Sequence, residues 1–476
     1  MWSKWSVWTP SRISLRGKLI TTVPTPTNEY RTRRKLRRLT QSPGTPQGVT
    51  AAPIPVPVLV PGSRVLIYKQ DPSVAEIGLR KVYLPNAVFV GPRDARIANG
   101  TPGIPAVSPN AFGDFIQTPG TPTFDAVQAY SVVRMTLSMY QRVLAIGGVA
   151  AVLPWQWNSS ANTDPLAVFP HGLPDTMNAF YQRSSKALKF GDFIKPGSNP
   201  PKRIFTCQSL DIVAHETGHA VLDGLRPNWI LANSPPQTGG LHESFGDITA
   251  IFLALSEMDQ VEAVIAQTKA NLHDKTFLSD LAEDFGLALG RPNGLRNADN
   301  DLKLSEAGTE VHAISQVFTG AIYDILADIF TFERKPAIRD DAKTLYDVAQ
   351  YLLSLVLRAI KAAPANAAIF ADVANQMLSI ANADGKPVQY RNFIRNRFTV
   401  REVVVSATPL TADMAPDARF APDVTDAPGA VQNRRGCCGT MQHPEYSGDD
   451  GLQAEIDAFK KSLPAAVMPH REGQAA

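Results

Sequence analysis

Long helical segments with one apolar face fill the second half of the sequence and constrain its fold more than any other feature. From Leu210 onward, apolar residues recur at intervals of three and four, as in helices that pack against a core. The segments read LDIVAHETGHAVLDGL, LHESFGDITAIFLALSEM, VHAISQVFTGAIYDILADIF, DAKTLYDVAQYLLSLVLRAIKAA and FADVANQMLSIANADG. They predict a helix-rich half with a sizeable buried core.

The region before these helices favours strands. RVLIYK and KVYLPNAVFV are rich in β-branched and aromatic residues, and PLAVFPH and NAFYQ have the pattern of short strands. One helix is expected after Pro122, with Asp125 in its acidic first turn. Strands first and helices second predict an α+β fold.

The two ends of the chain have compositions unlike those of a core. Residues 1–40 carry ten Lys or Arg against one acid, and a Pro-rich stretch follows. We therefore predict a basic, Pro-rich, disordered arm or linker at 1–62. The strand-rich half then spans 63–225, the helical half spans 226–405, and a loose tail with one short amphipathic helix spans 406–476.

Charge and apolar content exclude several classes of protein. With 47 basic and 44 acidic residues the net charge is +3, which implies no nucleic-acid partner. No apolar run reaches the roughly 18 residues of a membrane span, and Cys207, Cys437 and Cys438 are too few for a disulfide framework. The basic arm lacks a secretory-signal pattern, so we expect the chain to be cytoplasmic or exported by a non-standard route. A transit peptide is an alternative for this arm that the sequence leaves open. We also expect the protein to be a monomer.

The pentapeptide HETGH has the spacing of a metal site. Residues four apart on a helix differ by about 40° in direction and about 6 Å along the axis, so His215 and His219 can reach one ion from the same face. Neutral imidazole suits zinc. Glu216 lies at the edge of that face, where a general base would meet a water molecule. In the competing interpretation, the two histidines are incidental.

The next predicted helix supplies a third ligand. A catalytic zinc needs three protein ligands and an open position, and Glu243 in LHESFGD completes the set. Asp247 shares its helix face and could accept the outer N–H of a ligand histidine. Asp211 is a candidate for the same support, for calcium, or for a simple first-turn role. His242 points about 100° away from Glu243 and is left out of the ligand set.

These motifs resemble those of the thermolysin family of zinc endopeptidases and, more distantly, of the fungalysins. LDIVAHETGHAV and GGLHESFGDI are similar to the family's zinc-ligand segments, and NAFYQ to its edge strand. GLRNADND resembles the segment with its substrate-binding arginine, and EVHAISQVFTGAIY the segment with its catalytic histidine. The five occur in the family's order between Phe124 and Tyr323. The resemblance implies a thermolysin-like fold with its cleft between the strand-rich and helical halves.

Carried over residue by residue, the resemblance implies a zinc-dependent endopeptidase. The Zn²⁺ would be held by His215, His219 and Glu243. Glu216 would be the general base and acid on a zinc-activated water, and His312 would stabilise the oxyanion.

The resemblance also implies how peptide or protein substrates would bind. Asn178 and the Ala179 backbone would hold the substrate as an added strand, and Arg296 would hold a substrate carbonyl. An apolar residue is expected after the scissile bond, in a pocket lined by Ile212 and Leu295.

The sequence departs from the family in three places. LRPNWI has Trp229 and Ile230 where the family's oxyanion-assisting tyrosine is expected, so stabilisation would depend more on zinc and His312. The calcium-binding acids have no clear match beyond Asp211 and the acids of LAEDFG, which leaves Ca²⁺ dependence open. Neither a signal peptide nor an inhibitory propeptide is visible before the first strand.

Two other functions stay open from the sequence. The chain could be a zinc-bearing peptide-binding protein that turns nothing over. It could also be a structural or interaction protein whose arm and tail bind partners.

Overall fold

The described part of the chain begins at the first predicted strand and ends after the last helix. The structure, a computed structural model, describes residues 62–75, 77–145, 153, 165–230, 234–288 and 294–403, without the side chains of 283–285. All of them lie within the unit Val60–Ala476. The predicted tail, with Cys437 and Cys438, lies outside the described residues, as does the predicted arm apart from residue 62.

The strands of the described ranges form two two-stranded sheets and one larger sheet. In chain order they are β1 (Gly62–Tyr68), β2 (Leu79–Pro85), β3 (Ile97–Asn99), β4 (Leu166–Leu173), β5 (Ala179–Gln182), β6 (Ala187–Ile194), β7 (Arg203–Phe205), β8 (Asp280–Leu281) and β9 (Arg296–Asn297). β1 pairs with β2, and β8 with β9, both antiparallel. The larger sheet has the order β3-β4-β6-β5, with β7 also paired to β6. β4 is parallel to β3 and β6, whereas β5 is antiparallel to β6 and ends the row.

One long helix lies among the first seven strands, and the other helices follow β7. In chain order the helices are α1 (Pro122–Leu144), α2 (Leu210–Leu225), α3 (Pro236–Ala254), α4 (Met258–Thr268), α5 (Glu283–Ala288), α6 (Leu304–Ala307), α7 (Val311–Glu333), α8 (Asp341–Ala362), α9 (Phe370–Ala383) and α10 (Val388–Val400). The predicted α+β arrangement is therefore confirmed, with strands in the first half and helices in the second.

Several predicted elements are confirmed, and others have different bounds. α2 coincides with LDIVAHETGHAVLDGL, and Gly385 follows α9 with a φ of 66°, as a glycine stop requires. KVYLPNAVFV was predicted as one strand, which is wrong beyond Pro85 because Asn86 turns the chain with a φ of 66°. α3 begins five residues before LHESF, with Pro236 in its first turn, where a missing N–H has no cost.

The apolar core joins both halves of the described chain. A single cluster of buried side chains runs from β1 and α1 through the larger sheet to α10. α7 is the described helix long and apolar enough to cross a membrane, and 83% of its most apolar window is buried inside the protein. A buried window is typical of a core helix, because such a helix is apolar on every side.

Candidate metal centre

The HETGH segment lies in the middle of a buried helix. Ser209 caps α2, accepting the N–H of Ile212 at 3.5 Å, and Asp211 falls in the first turn, where negative charge is favourable. His215, Glu216 and His219 are buried, at 5%, 1% and 0% exposure. These polar side chains need partners, because unpaired polar groups are costly inside a protein.

Two glycines let α2 and α3 approach closely at this point. A Cβ on Gly218 would lie 2.5 Å from Thr249 Oγ1 and 3.1 Å from the Gly246 Cα. A Cβ on Gly246 would lie 2.6 Å from the ring of His215. The His215 imidazole therefore packs directly on the α3 backbone, and this contact sets the distance between the two helices.

The predicted ligand atoms converge on one point. His215 Nε2 and His219 Nε2 are 2.9 Å apart, and Glu243 Oε2 lies 3.5 Å from the first and 3.8 Å from the second. Ligand atoms around a tetrahedral zinc lie about 3.3 Å apart, given bonds of about 2.0 Å. The triangle thus has the size of a three-ligand zinc site.

Glu243 is a buried carboxylate whose hydrogen-bonding capacity is unused. It is 0% exposed, and among the described residues neither oxygen accepts a hydrogen bond. Burial alone would raise the pKa of Glu243, but the nearby His219 and His215 hold it well below its usual value. An ionised, buried carboxylate without hydrogen bonds is expensive, and a cation between it and the two imidazoles would compensate for that.

His215 is oriented by a carboxylate and an arginine. Its Nδ1–H donates to Asp247 Oδ1 at 3.0 Å, and Arg296 Nη2 donates to the same oxygen at 2.8 Å. Burial lowers the pKa of His215, but the bond to Asp247 and the nearby Glu243 raise it to about 10. Burial raises the pKa of Asp247, but Arg296 and His215 bring it below its usual value. The structure thus places Asp247 against Nδ1 of His215, which is predicted to be a ligand.

His219 has an outer partner that sequence reasoning missed. His242 Nδ1 lies 2.8 Å from His219 Nδ1. His242 is 0% exposed, and burial lowers its pKa to about 3. The angle between residues 242 and 243 predicts that His242 lies outside the ligand set. That angle does not reveal that His242 reaches the Nδ1 side of the His219 ring.

Glu216 and Arg296 border a cavity that His215, one of the predicted ligands, also lines. The walls of this cavity come from β5, α2, α3, β8 and β9. Ile212 and Leu295, predicted to line an apolar pocket, are among its wall residues. Ala179 borders it too, at the start of the strand that ends the larger sheet.

His312 is held by an acid that caps its helix. Glu310 is the N-cap of α7 and accepts the backbone N–H groups of His312 and Ala313 at 3.1 and 2.8 Å. The same carboxylate bonds His312 Nδ1. His312 lies close enough to Glu243 to lower its pKa. Sequence reasoning missed Glu310, although an acid just before a helix is an N-cap signal.

Asn178 and Asp211 lie near the site, and their side chains bond to residues other than the predicted ligands. Asn178 Oδ1 accepts the N–H of Ala179 at 2.9 Å. Asp211 borders the cavity and accepts the N–H of Ala282 at 3.4 Å. Burial and the neighbouring Asp71 raise the pKa of Asp211 to about 8. Its partners are therefore not the ligand histidines, and the side chains of the LAEDFG acids lie outside the described residues.

Two other groups of His, Cys and acidic residues come together in the described part of the chain. One is Asp125, His171 and Cys207, and the other is His273, Asp299 and Asp324. In the first, both oxygens of Asp125 already accept hydrogen bonds, at 2.8 Å from His171 and 2.7 Å from Gln208. The triangle of His215, His219 and Glu243 differs because its carboxylate has no such bonds.

Comparisons with known proteins add no family to this geometry. No protein-family model matches the chain, and a search of curated proteins finds no match. The functional assignment therefore depends on the residues of the site.

Proposed function

We propose that the chain is a zinc-dependent endopeptidase of the thermolysin-like kind. One observation carries the proposal: two buried imidazoles and a buried carboxylate without hydrogen bonds converge on one point beside Glu216 and a cavity. Their donor set, two nitrogens and one oxygen, is the set that catalytic zinc sites use. The order of the five motifs in the sequence supports the same assignment.

The residues present fit zinc. His215, His219 and Glu243 would hold it, with Asp247 and His242 behind the two imidazoles. Zinc in this position supplies a Lewis acid that activates water and polarises a carbonyl. Binding of the ion would need little movement of these side chains, because the three ligand atoms already lie at suitable separations.

Glu216 is the proton carrier in this proposal. It follows His215 on α2 and borders the same cavity, so its carboxylate can take a proton from the attacking water and give it to the leaving amine. Its burial, at 1% exposure, keeps bulk water from competing for that proton.

His312 and Arg296 are proposed to hold the substrate's oxygens. Glu310 bonds Nδ1 of His312, and in this proposal the Nε2–H of His312 donates to a developing oxyanion. Arg296 is anchored through Asp247 and also borders the cavity, where it can donate to a substrate carbonyl.

The substrate is proposed to be an extended peptide. β5 ends its sheet within the described residues, so a peptide strand can add beside Asn178 and Ala179. Ile212 and Leu295 favour an apolar side chain after the scissile bond, because burial of apolar surface drives binding.

The direct test combines metal analysis with a cleavage assay on the full chain. We expect about one zinc per chain, cleavage of casein or quenched peptides, loss of cleavage with a zinc chelator and recovery when zinc is restored. Glu243→Gln should lose both zinc and cleavage, since the third anionic ligand is gone. Cleavage that survives complete removal of zinc would exclude this mechanism.

Gly246→Ala tests the helix contact that builds the site. The added methyl group would meet the His215 ring at 2.6 Å, so we expect zinc affinity to fall by about 10–100-fold, as for other losses of ligand orientation. The measurement is a zinc titration against a competing chelator.

Gly239→Ala is the matched control. It adds a methyl group to the same helix, but there the closest atom is the Val311 Cγ1, at 2.6 Å, at the end of a side chain. Zinc affinity should stay near that of the wild type. Equal losses in both variants would mean that helix damage, and not the His215 contact, weakens zinc binding.

A zinc-bearing peptide-binding protein is the second candidate. Trp229 lies in the segment where the resembled family has its oxyanion-assisting tyrosine. It is buried and donates its Nε1–H to the Pro364 carbonyl at 3.0 Å. The indole N–H is therefore not available to a substrate oxygen. Zinc content with no cleavage across a diverse peptide library would select this candidate.

A further inference from the structure

His242 and His219 form a hydrogen-bonded pair of imidazoles behind the proposed zinc. Their Nδ1 atoms are 2.8 Å apart, and the ring centroids are 5.0 Å apart with an interplanar angle of 25°. Both side chains are 0% exposed. At this distance one nitrogen must donate and the other must accept.

The proposed metal site fixes which ring donates. His219 faces the ligand triangle with Nε2, which lies 2.9 Å from His215 Nε2, so a metal there requires that nitrogen without a proton. The single proton of neutral His219 then sits on Nδ1 and is donated to His242. His242 must accept at Nδ1 and carries its own proton on Nε2, a buried atom with no hydrogen-bond partner among the described residues.

We propose that His242 is the positioning residue of His219, acting as a neutral hydrogen-bond acceptor that sets its tautomer and ring orientation. The inference rests on the proposed zinc site and adds a residue outside the ligand set. α3 would then support the metal in two ways. Glu243 would bind it directly, and His242, the residue before Glu243, would orient the ligand His219. Carboxylates, carbonyls and water are the usual partners at this position, and a neutral imidazole differs from Asp247 behind His215 because it adds no charge.

Three variants separate the accepting nitrogen from the rest of the ring. In His242→Asn, the side-chain oxygen is bonded to Cγ, as Nδ1 is in histidine, so it can accept from His219 at nearly the same place. In His242→Gln, the oxygen is one bond further out, towards the former Nε2. His242→Leu has no acceptor.

The measurement is zinc affinity of the full chain in competition with a chromophoric chelator. We expect His242→Asn to stay within a few-fold of wild type, and His242→Gln and His242→Leu to bind about 10–100-fold more weakly. Glu262→Gln, which removes a carboxylate from an exposed position on α4, should leave zinc affinity unchanged. The spectrum of bound Co²⁺ should shift in the Gln and Leu variants and be restored in the Asn variant.

The outcomes separate this inference from the peptidase. Zinc affinities of Gln and Leu variants equal to wild type would overturn the role of His242, and so would an Asn variant as weak as the Gln variant. If His242→Leu does not fold, the Asn and Gln pair still decides, because both are polar and similar in size. Zinc affinity that depends on His242 in a chain that cleaves no peptide would support the inference and overturn the peptidase. A folded wild-type chain without zinc affinity would overturn both.

Discussion

Replacing Glu216 by Gln is expected to lower kcat/KM for peptide cleavage by about 10²–10⁴-fold, the usual contribution of a general acid–base residue. Gln keeps the shape of the side chain but cannot take a proton from water. Because Glu216 is not one of the converging ligands, zinc content should stay at the wild-type level. The measurement is cleavage of a quenched peptide together with metal analysis of the same preparation.

Glu262→Gln is the matched control for this change. Glu262 is exposed on α4, so the same loss of one carboxylate should leave cleavage unchanged. A Glu216→Gln variant with wild-type kcat/KM would exclude Glu216 as the proton carrier. Loss of zinc in that variant would instead indicate that Glu216 contributes to metal binding.

Replacing Arg401 by Met is expected to lower the free energy of unfolding by about 3–5 kcal/mol, the cost of removing one partner from a buried charge pair. Arg401 is 1% exposed and donates to Asp324 at 2.8 Å and to the Leu302 carbonyl at 3.1 Å. Gly320 leaves room for it, because a Cβ there would lie 2.8 Å from the Arg401 Nη1. Within the described part of the chain, the change would leave the buried Asp324 carboxylate with Arg397 as its remaining ion-pair partner, 3.4 Å away.

Urea unfolding of the full chain measures this loss. Arg339→Met is the control, since Arg339 pairs with Asp347 at the surface, where both side chains are about 40% exposed, and such pairs contribute about 0–1 kcal/mol. A loss below 1 kcal/mol for Arg401→Met would contradict the proposed cost of the unpaired carboxylate.

The segment between β9 and α6 contacts this buried pair. Arg401 also donates to Asn300 Oδ1 at 3.2 Å, four residues after Arg296. The residue just after α10 is therefore bonded to the segment that follows Arg296, although the two are about a hundred positions apart. Sequence reasoning selected Arg296 from its motif but did not identify this contact.

Local patterns predicted the elements that depend on local forces. α2 has the bounds of its apolar pattern because Ser209 caps it and its interior residues favour a helix that is buried on most sides. β6 escaped prediction because ALKFGDFI contains Gly and Asp, which disfavour strands. Its pairing with β4 and β5 overrides that preference, since hydrogen bonds to neighbours stabilise it from both sides.

The residues behind the ligands could not be predicted in the same way. Helical angles relate residues of one helix to each other, so they placed Glu243 and Asp247 on one face of α3. They carry no information on which atoms of α2 that face will meet. The pairing of His242 with His219 follows from the close approach at Gly218 and Gly246, which is a property of two helices together.

The sequence by itself determined that strands prevail in the first half and helices in the second, and it determined the spacing that lets His215 and His219 face one point. Both follow from periodicity along single segments. Only the tertiary structure decided that Glu243 completes the triangle without a hydrogen bond of its own, and that His242 and Glu310 hold His219 and His312. Those contacts join residues on different turns and helices, and their distances depend on how closely the backbones pack.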